Sequence, residues 1–267
     1  MNKFNIKELF LELTKINTPY KTEYKIEHLL PKNIKKDEFG NYYLRIGKSK
    51  TIFTAHLDDA SWGGNEPVEH VFNGEFIETD GSTILGADDK AGVVVLLYMI
   101  HNNVPGTYYF FLGEESGMQG SKGILKIKPD WFKTNFKRCI SFDRRGYGSI
   151  ISRQMGQQCC SNEFVKSLKQ QYDSLGLVHR NDPGGIFTDS AAFIGIIPEC
   201  TNLSVGYFDE HSHQESQNIK YLEKLAEVSV KVKWENLPTV GVKKISNDSY
   251  GGMYGNYYDD DDWNMWD

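Results

Sequence analysis

Thr51-Ile52-Phe53-Thr54-Ala55-His56-Leu57-Asp58 is the stretch that decides how this chain folds. Its first five residues are β-branched, aromatic or small, as a buried strand requires, and the run ends in a histidine and an aspartate. In an open α/β sheet the functional side chains gather just beyond the carboxyl ends of the strands. The same pattern returns along the chain. The apolar run 108–113 leads into Glu114-Glu115, the run 139–142 into Asp143, and 202–207 towards His211-Ser212-His213. Gly86-Ala87-Asp88-Asp89-Lys90-Ala91-Gly92 adds a turn that sets two carboxylates at the start of a helix. Five polar clusters would thus meet at one edge of a sheet.

Outward from these runs, helical and strand-like periodicities alternate. Ile6, Leu9, Leu11, Leu13 and Ile16 predict an opening helix, and further helices are expected over 23–30, 91–102, 119–127, 162–175, 189–194 and 217–234. Strands are expected over 41–46, 51–55, 107–112, 139–142, 149–152 and 202–207, with a hairpin of 68–72 and 75–79 around Asn73-Gly74. This order predicts an α/β three-layer sandwich with a central mixed, mostly parallel sheet. Periodicity stops after Pro238. The expected organisation is therefore one domain over 1–237 and a flexible, acidic, aromatic tail over 238–267.

Composition narrows the function classes. The 267 residues are 39% hydrophobic and 25% charged, which fits a folded protein. The net charge is −6, and Asp259, Asp260, Asp261, Asp262 and Asp267 supply five of the acids, so the body is nearly neutral. No basic field is available for nucleic acid or anionic lipid, and no apolar run approaches the roughly 20 residues that cross a bilayer. The opening residues lack a signal-peptide core, so a cytoplasmic protein is expected. Cys139, Cys159, Cys160 and Cys200 form no C-x-x-C pair and read as buried thiols. The tail interleaves Tyr250, Tyr254, Tyr257, Tyr258, Trp263 and Trp266 with its aspartates, which suits either a solubilising end or a docking peptide for a protein partner.

Each polar cluster has a structural reading: a core histidine, a helix cap, a solvated Glu-Glu loop. Together they match a catalytic metal site, because histidine and carboxylate donors without cysteine leave positions open for water and substrate. With His56 and His211 neutral and Asp88, Glu115 and Asp143 ionised, the donors carry −3 against +4 for two divalent ions. His211 and His213 compete for the last position. Arg144 and Arg145 follow a proposed donor and read either as a solvated loop or as a grip on a substrate carboxylate.

His56-Leu57-Asp58, 86–92, Gly113-Glu114-Glu115, Asp143 and 211–215 together resemble the ordered ligand motifs of the co-catalytic zinc exopeptidases, a superfamily of aminopeptidases, carboxypeptidases, dipeptidases and deacylases. The stretch 80–92 is similar to that of tripeptide aminopeptidases (peptidase T), and Thr188-Asp189-Ser190 to a loop of the compact aminopeptidases. The resemblance covers about 51–215. It implies the zinc exopeptidase (phosphorylase/hydrolase-like) fold and two divalent metal ions, taken as zinc. Asp88 would bridge them, His56 and Asp143 completing one site and Glu115 and His211 the other. It further implies Asp58 behind His56, Glu114 as general base, and a cis peptide between Asp88 and Asp89. The His, Ser or Thr, then Glu pattern favours His211, followed by Ser212 and Glu215, over His213. Relatives with a lid domain insert roughly a hundred residues between the third and last ligand strands, the size of a small domain. Only 68 positions separate Asp143 from His211, and 32 separate His56 from Asp88, so a compact member without a lid is expected. The implied activity is hydrolysis of an amide bond near a chain terminus by an aminopeptidase acting on short peptides. Alternatives are a deacylase of N-acyl amino acids, a carboxypeptidase, or a non-catalytic binding module.

Overall fold

Residues 4–62 and 64–242 are described by the structure, a computed structural model. In chain order the strands are β1 (Lys35–Lys36), β2 (Tyr42–Ile46), β3 (Thr51–His56), β4 (His70–Asn73), β5 (Phe76–Thr79), β6 (Gly106–Phe111) and β7 (Arg138–Arg144). There follow β8 (Ser149–Ile151), β9 (Arg153–Gln154), β10 (Gln157–Gln158), β11 (Arg180–Asp182), β12 (Glu199–Ser204), β13 (Tyr207–Phe208) and β14 (Ser216–Asn218). The helices are α1 (Ile6–Leu13), α2 (Ala87–His101), α3 (Gln119–Ile127), α4 (Pro129–Asn135), α5 (Asn162–Ser174), α6 (Asp189–Ala192) and α7 (Ile219–Ser229).

The main sheet has the order β1-β2-β6-β3-β7-β12-β8-β11. Its centre, β6-β3-β7-β12, is parallel, and antiparallel neighbours stand at β1, β2 and the β12–β8 junction. The predicted mixed, mostly parallel sheet is what forms. β3 is buried along its whole length between β6 and β7, which is why its sequence is apolar without alternation. Parallel register then aligns the chemistry: His56 pairs with Phe111, and Thr54 with Ser141, two residues before Asp143.

Alternation along the strands sends side chains to two helical layers. Phe53 and Phe142 meet Trp234 at ring distances of 5.0 and 6.2 Å on the face covered by α2 and α7. On the other face Thr54 and Ser141 share a hydrogen bond beneath α6, while Tyr109 and Phe111 pack on Phe132 and Phe193. α2 lies between the sheet and α1 with α7, so its run of valines and leucines is buried all round. Gly92 lets it come close: a Cβ there would stand 2.0 Å from the Phe142 carbonyl oxygen. Asn5, Ser161 and Asn218 cap α1, α5 and α7 through their side-chain oxygens.

Several boundaries depart from expectation. α2 begins at Ala87 rather than 91, with a left-handed Gly86 before it (φ 71°) and a cis peptide between Asp88 and Asp89, as the resemblance implied. Residues 23–30 form a 3-10 helix, Glu23–Leu29. The last helix is shorter than 217–234, because Gln217 instead pairs with Ile77 in the small β13-β14-β5-β4 sheet. α4 and the short polar strands β9, β10 and β11 carry too little periodicity to have been read. All four cysteines are buried thiols. Among the described residues no helix is long and apolar enough to cross a membrane. Most of the acidic tail, from 243 on, lies outside the described residues.

Candidate metal centre

β3 delivers His56 to the carboxyl edge of the sheet, where its Nε2 lies 3.1 Å from Asp88 Oδ1 and 3.6 Å from Asp143 Oδ1. The other oxygen of the same carboxylate, Asp88 Oδ2, lies 3.3 Å from His211 Nε2, which is 2.7 Å from Glu115 Oε1. All five sequence-predicted donors are thus together, with one carboxylate standing between two histidine-carboxylate pairs. His211 takes part from a left-handed backbone conformation (φ 61°), with its side chain about half exposed. His213 points elsewhere: it is exposed, with Nδ1 2.8 Å from the Gly81 carbonyl oxygen.

The donor set fits divalent metal. Glu115 Oε1 is buried and in no hydrogen bond, although an imidazole nitrogen stands 2.7 Å away. Imidazole nitrogens and carboxylate oxygens that converge in this way are the arrangement a cation coordinates. The electrostatics agree. Burial opposes a charge on His56, yet Asp143, Asp58 and Asp88 outweigh it and raise the imidazole well above its usual range. Contact with Asp88 and Glu115 pushes His211 up to about 11. Burial pushes Glu115 up to about 7 and also raises Asp143. So many carboxylates in one enclosure call for positive charge between them.

Around the donors, a shell of hydrogen bonds fixes orientation. The predicted partner of His56 is the Asp58 carboxylate; the nearest acceptor to Nδ1 is instead the Asp58 carbonyl oxygen at 3.0 Å, with carboxylate Oδ1 at 3.5 Å. The carboxylate mainly serves the neighbouring loop, accepting the N–H groups of Glu114 and Glu115, both at 3.0 Å. Thr188 Oγ1 and the Tyr207 hydroxyl donate to the two oxygens of Asp143, at 2.6 and 3.2 Å. Glu215, fully buried, accepts the N–H groups of Gly86 at 2.7 Å and Asp88 at 3.0 Å. Asp89 accepts from the N–H of His56 and of Gly92. The pattern that favoured His211 includes Glu215, and the Thr188-Asp189-Ser190 match marks Thr188. Nothing in the sequence marks Tyr207 or Asn202, whose side chain clamps both main-chain groups of Asp143.

The centre opens into a cavity of about 400 Å³, bounded by Asp88, Glu114, Glu115, Asp143 and His211 on one side. Burial raises the Glu114 carboxyl well above the usual range. Arg144 and Arg145 both border the cavity, but each has an intramolecular partner: Arg144 donates to the Gly184 carbonyl oxygen at 3.2 Å, Arg145 to Glu210 at 3.2 Å.

No protein-family model matches the chain. Its sequence is similar to that of the uncharacterized protein YqjE of Bacillus subtilis (strain 168), 36% identical over 151 residues, which is 46% of this chain and 40% of that protein. The chain therefore spans less than half the length of the curated relative it matches. Among solved structures it is similar to aminopeptidase PepT from Bacillus cereus ATCC 10987, with TM-score 0.71, 20% identity, and 84% of this chain and 96% of that one covered. It is likewise similar to a tripeptidase from Staphylococcus aureus subsp. aureus Mu50, with TM-score 0.72, 18% identity, and coverage of 85% and 96%. The TET1 peptidase of Pyrococcus horikoshii matches with TM-score 0.67, 16% identity, and coverage of 85% and 98%. The chain has the fold of these PepT and TET aminopeptidases.

Proposed function

We propose that the protein is a metal-dependent exopeptidase of the aminopeptidase type, acting on short peptides. The observation that carries this reading is the split carboxylate of Asp88, one oxygen facing His56 and the other facing His211. His56, Asp88 and Asp143 would hold one divalent ion, and Asp88, Glu115 and His211 a second, both taken as zinc. When bound, such a pair supplies Lewis acidity to the scissile carbonyl and the attacking water. Glu114 takes the proton from that water and returns it to the leaving amine, and its raised carboxyl suits both halves of the transfer. Asp58 holds the Glu114 and Glu115 amides in place and keeps His56 in one tautomer. The unit responsible is taken as 1–237, and four buried thiols suit the cytoplasm.

A second reading, carboxypeptidase or deacylase chemistry, is favoured by Arg144 and Arg145 at the cavity, where a guanidinium could share a substrate carboxylate. The deciding experiment is metal analysis followed by free-amine and N-acetylated dipeptides. Two metals per chain and turnover of the free-amine set only are expected, with Glu114→Gln folded, metal-loaded and slower by at least ~100-fold. Full activity of Glu114→Gln would overturn the assignment of the base, and turnover of blocked peptides would transfer the reading to the deacylases.

A further inference from the structure

Part of the lining of the cavity is apolar, and some of that apolar surface is unused by the fold. Met118 and Ile151 are buried in it, whereas Ile186 and Phe187 are each 60% exposed. These two sit in the loop 183–188, which is pinned at both ends. Gly184 accepts from Arg144 and donates to Asp182, Gly185 donates to the Arg153 carbonyl and accepts from Met155, and Thr188 holds Asp143. Gly185 is pressed so close that a Cβ would lie 2.4 Å from the Arg153 carbonyl oxygen. The loop is therefore a built feature, and it keeps two adjacent large apolar side chains in water at the mouth of the candidate centre. Apolar surface in that place gains free energy when a ligand covers it.

We infer that Met118, Ile151, Ile186 and Phe187 form the subsite for the side chain of the substrate's terminal residue, and that this residue is large and apolar. The inference rests on the exopeptidase reading for its substrate, and on the shared cavity for its occupant: the same enclosure holds Asp88, Glu114, Glu115, Asp143 and His211. A charged side chain would lose its hydration against these four residues and find no partner among them. A short one would leave Ile186 and Phe187 uncovered.

The test uses the metal-loaded full chain in two arms. In the first, dipeptides with N-terminal Leu, Phe, Ala, Asp or Lys before a common second residue are compared by kcat/KM. Leu and Phe are expected to exceed Ala by about tenfold or more and the charged residues by more again, since each missing methylene in an apolar pocket costs about tenfold or more. Phe187→Ala should compress the Phe-to-Ala ratio by about tenfold, and Phe187→Leu should restore most of it, a pattern that a merely structural loop would not produce. The second arm measures binding of free L-leucine, L-alanine and L-aspartate by calorimetry, independently of turnover. Leucine binding tighter than alanine by about tenfold, with the difference lost in Phe187→Ala, supports the subsite even if no peptide is cleaved, in which case the exopeptidase reading fails alone. Equal ratios in parent and Phe187→Ala in both arms overturn the inference. A Phe187→Ala variant that changes assembly size while leaving both ratios intact also overturns it, and assigns the patch to a subunit contact.

Discussion

Lys90 offers a direct test of how the metal-centre turn is held. Its ammonium lies 2.9 Å from Asp59 Oδ2, with side-chain exposures of 0% and 1%. The same Asp59 oxygen accepts the Thr18 N–H at 2.7 Å, and its other oxygen accepts the Ser61 hydroxyl at 2.5 Å. Burial alone would raise the Asp59 carboxyl, but Lys90 and Ser61 outweigh it and hold it below its usual range. Lys90→Met keeps most of the length of the side chain and removes its charge, leaving a buried carboxylate with neutral donors only. Breaking a buried pair in this way costs about 3–5 kcal/mol. For a domain of this size that corresponds to a fall in Tm of about 6–20 °C. The pH dependence has a defined sign. In the parent the depressed Asp59 contributes stability above its unfolded pKa of about 3.8 and loses it as pH falls through the folded value. In the variant Asp59 is raised, so its penalty grows as pH rises above about 4, and the gap between the two proteins widens from pH 4 to pH 7. Urea unfolding at fixed metal concentration, with m-values checked for two-state behaviour, measures the deficit. Adding Asp59→Asn to Lys90→Met should recover at least half of it, because removing both charges removes the uncompensated one. A deficit below about 1 kcal/mol, or a double variant whose losses simply add, would refute the reasoning.

Other consequences can be checked with the same protein. Glu114, Glu115, Asp189 and Glu215 are all raised by burial, the last three to about 7, 8 and 8, so chelator-stripped protein should lose Tm as pH rises from 5 to 8. Protein loaded with metal should stay nearly level over that range, and parallel slopes in thermal melts would contradict a cation at these acids. Glu215→Gln replaces one of two acceptors for the Gly86 and Asp88 amides with a donor, and chelator competition should show metal affinity weakened by about 10–100-fold. Unchanged affinity would mean that Glu215 does not position the turn. Gly92→Ala puts a methyl 2.0 Å from the Phe142 carbonyl oxygen and 2.4 Å from Asp89, and should cost about 3 kcal/mol or prevent soluble expression. A Tm within about 2 °C of the parent would show that α2 can move off β7.

The sequence was most legible where one physical cause dominates. β3, β6 and β7 are buried on both faces, so their runs had to be apolar, and their polar ends could be read as a shared edge without knowing the strand order. α3 was located to the residue because one apolar stripe turns inward beside α6 and α4, Ile124 and Leu125 buried and Lys122 and Lys126 exposed. Legibility failed where tertiary pairing overrides local preference. Gln217 lies in a helical pattern but is drawn into β14 by its pairing with Ile77 across 140 positions. The start of α2 is set by Gly86 and Glu215, 129 positions apart, and no window of neighbouring residues contains both. Within the centre, the donors were readable as a spaced set, whereas Tyr207, Asn202 and Asp89 act through contacts that only the folded chain creates.

The way the acids are held bears on why fold and metal should be inseparable. The carboxylates of Asp58, Asp89 and Glu215 are satisfied by backbone N–H groups, and that of Asp143 by two hydroxyls. Among the described residues no Lys or Arg makes an ion pair with any of them or with Asp88 or Glu115; the nearest buried cation, Lys90, is committed to Asp59. Hydrogen bonds of this kind fix direction without supplying countercharge. The countercharge can come from two sources, protonated His56 and His211 or divalent cations. The first consumes the imidazole lone pairs, while the second keeps them as ligands and matches Asp88 with an oxygen for each ion. A ligand that binds only the folded state adds RT ln(1 + [L]/Kd), about 2.7 kcal/mol at one hundred times Kd, a large share of the roughly 5–15 kcal/mol that a domain has in all. Stability of this chain should therefore track free metal concentration, and a stripped protein that melts where the loaded one does would place the countercharge on the histidines instead.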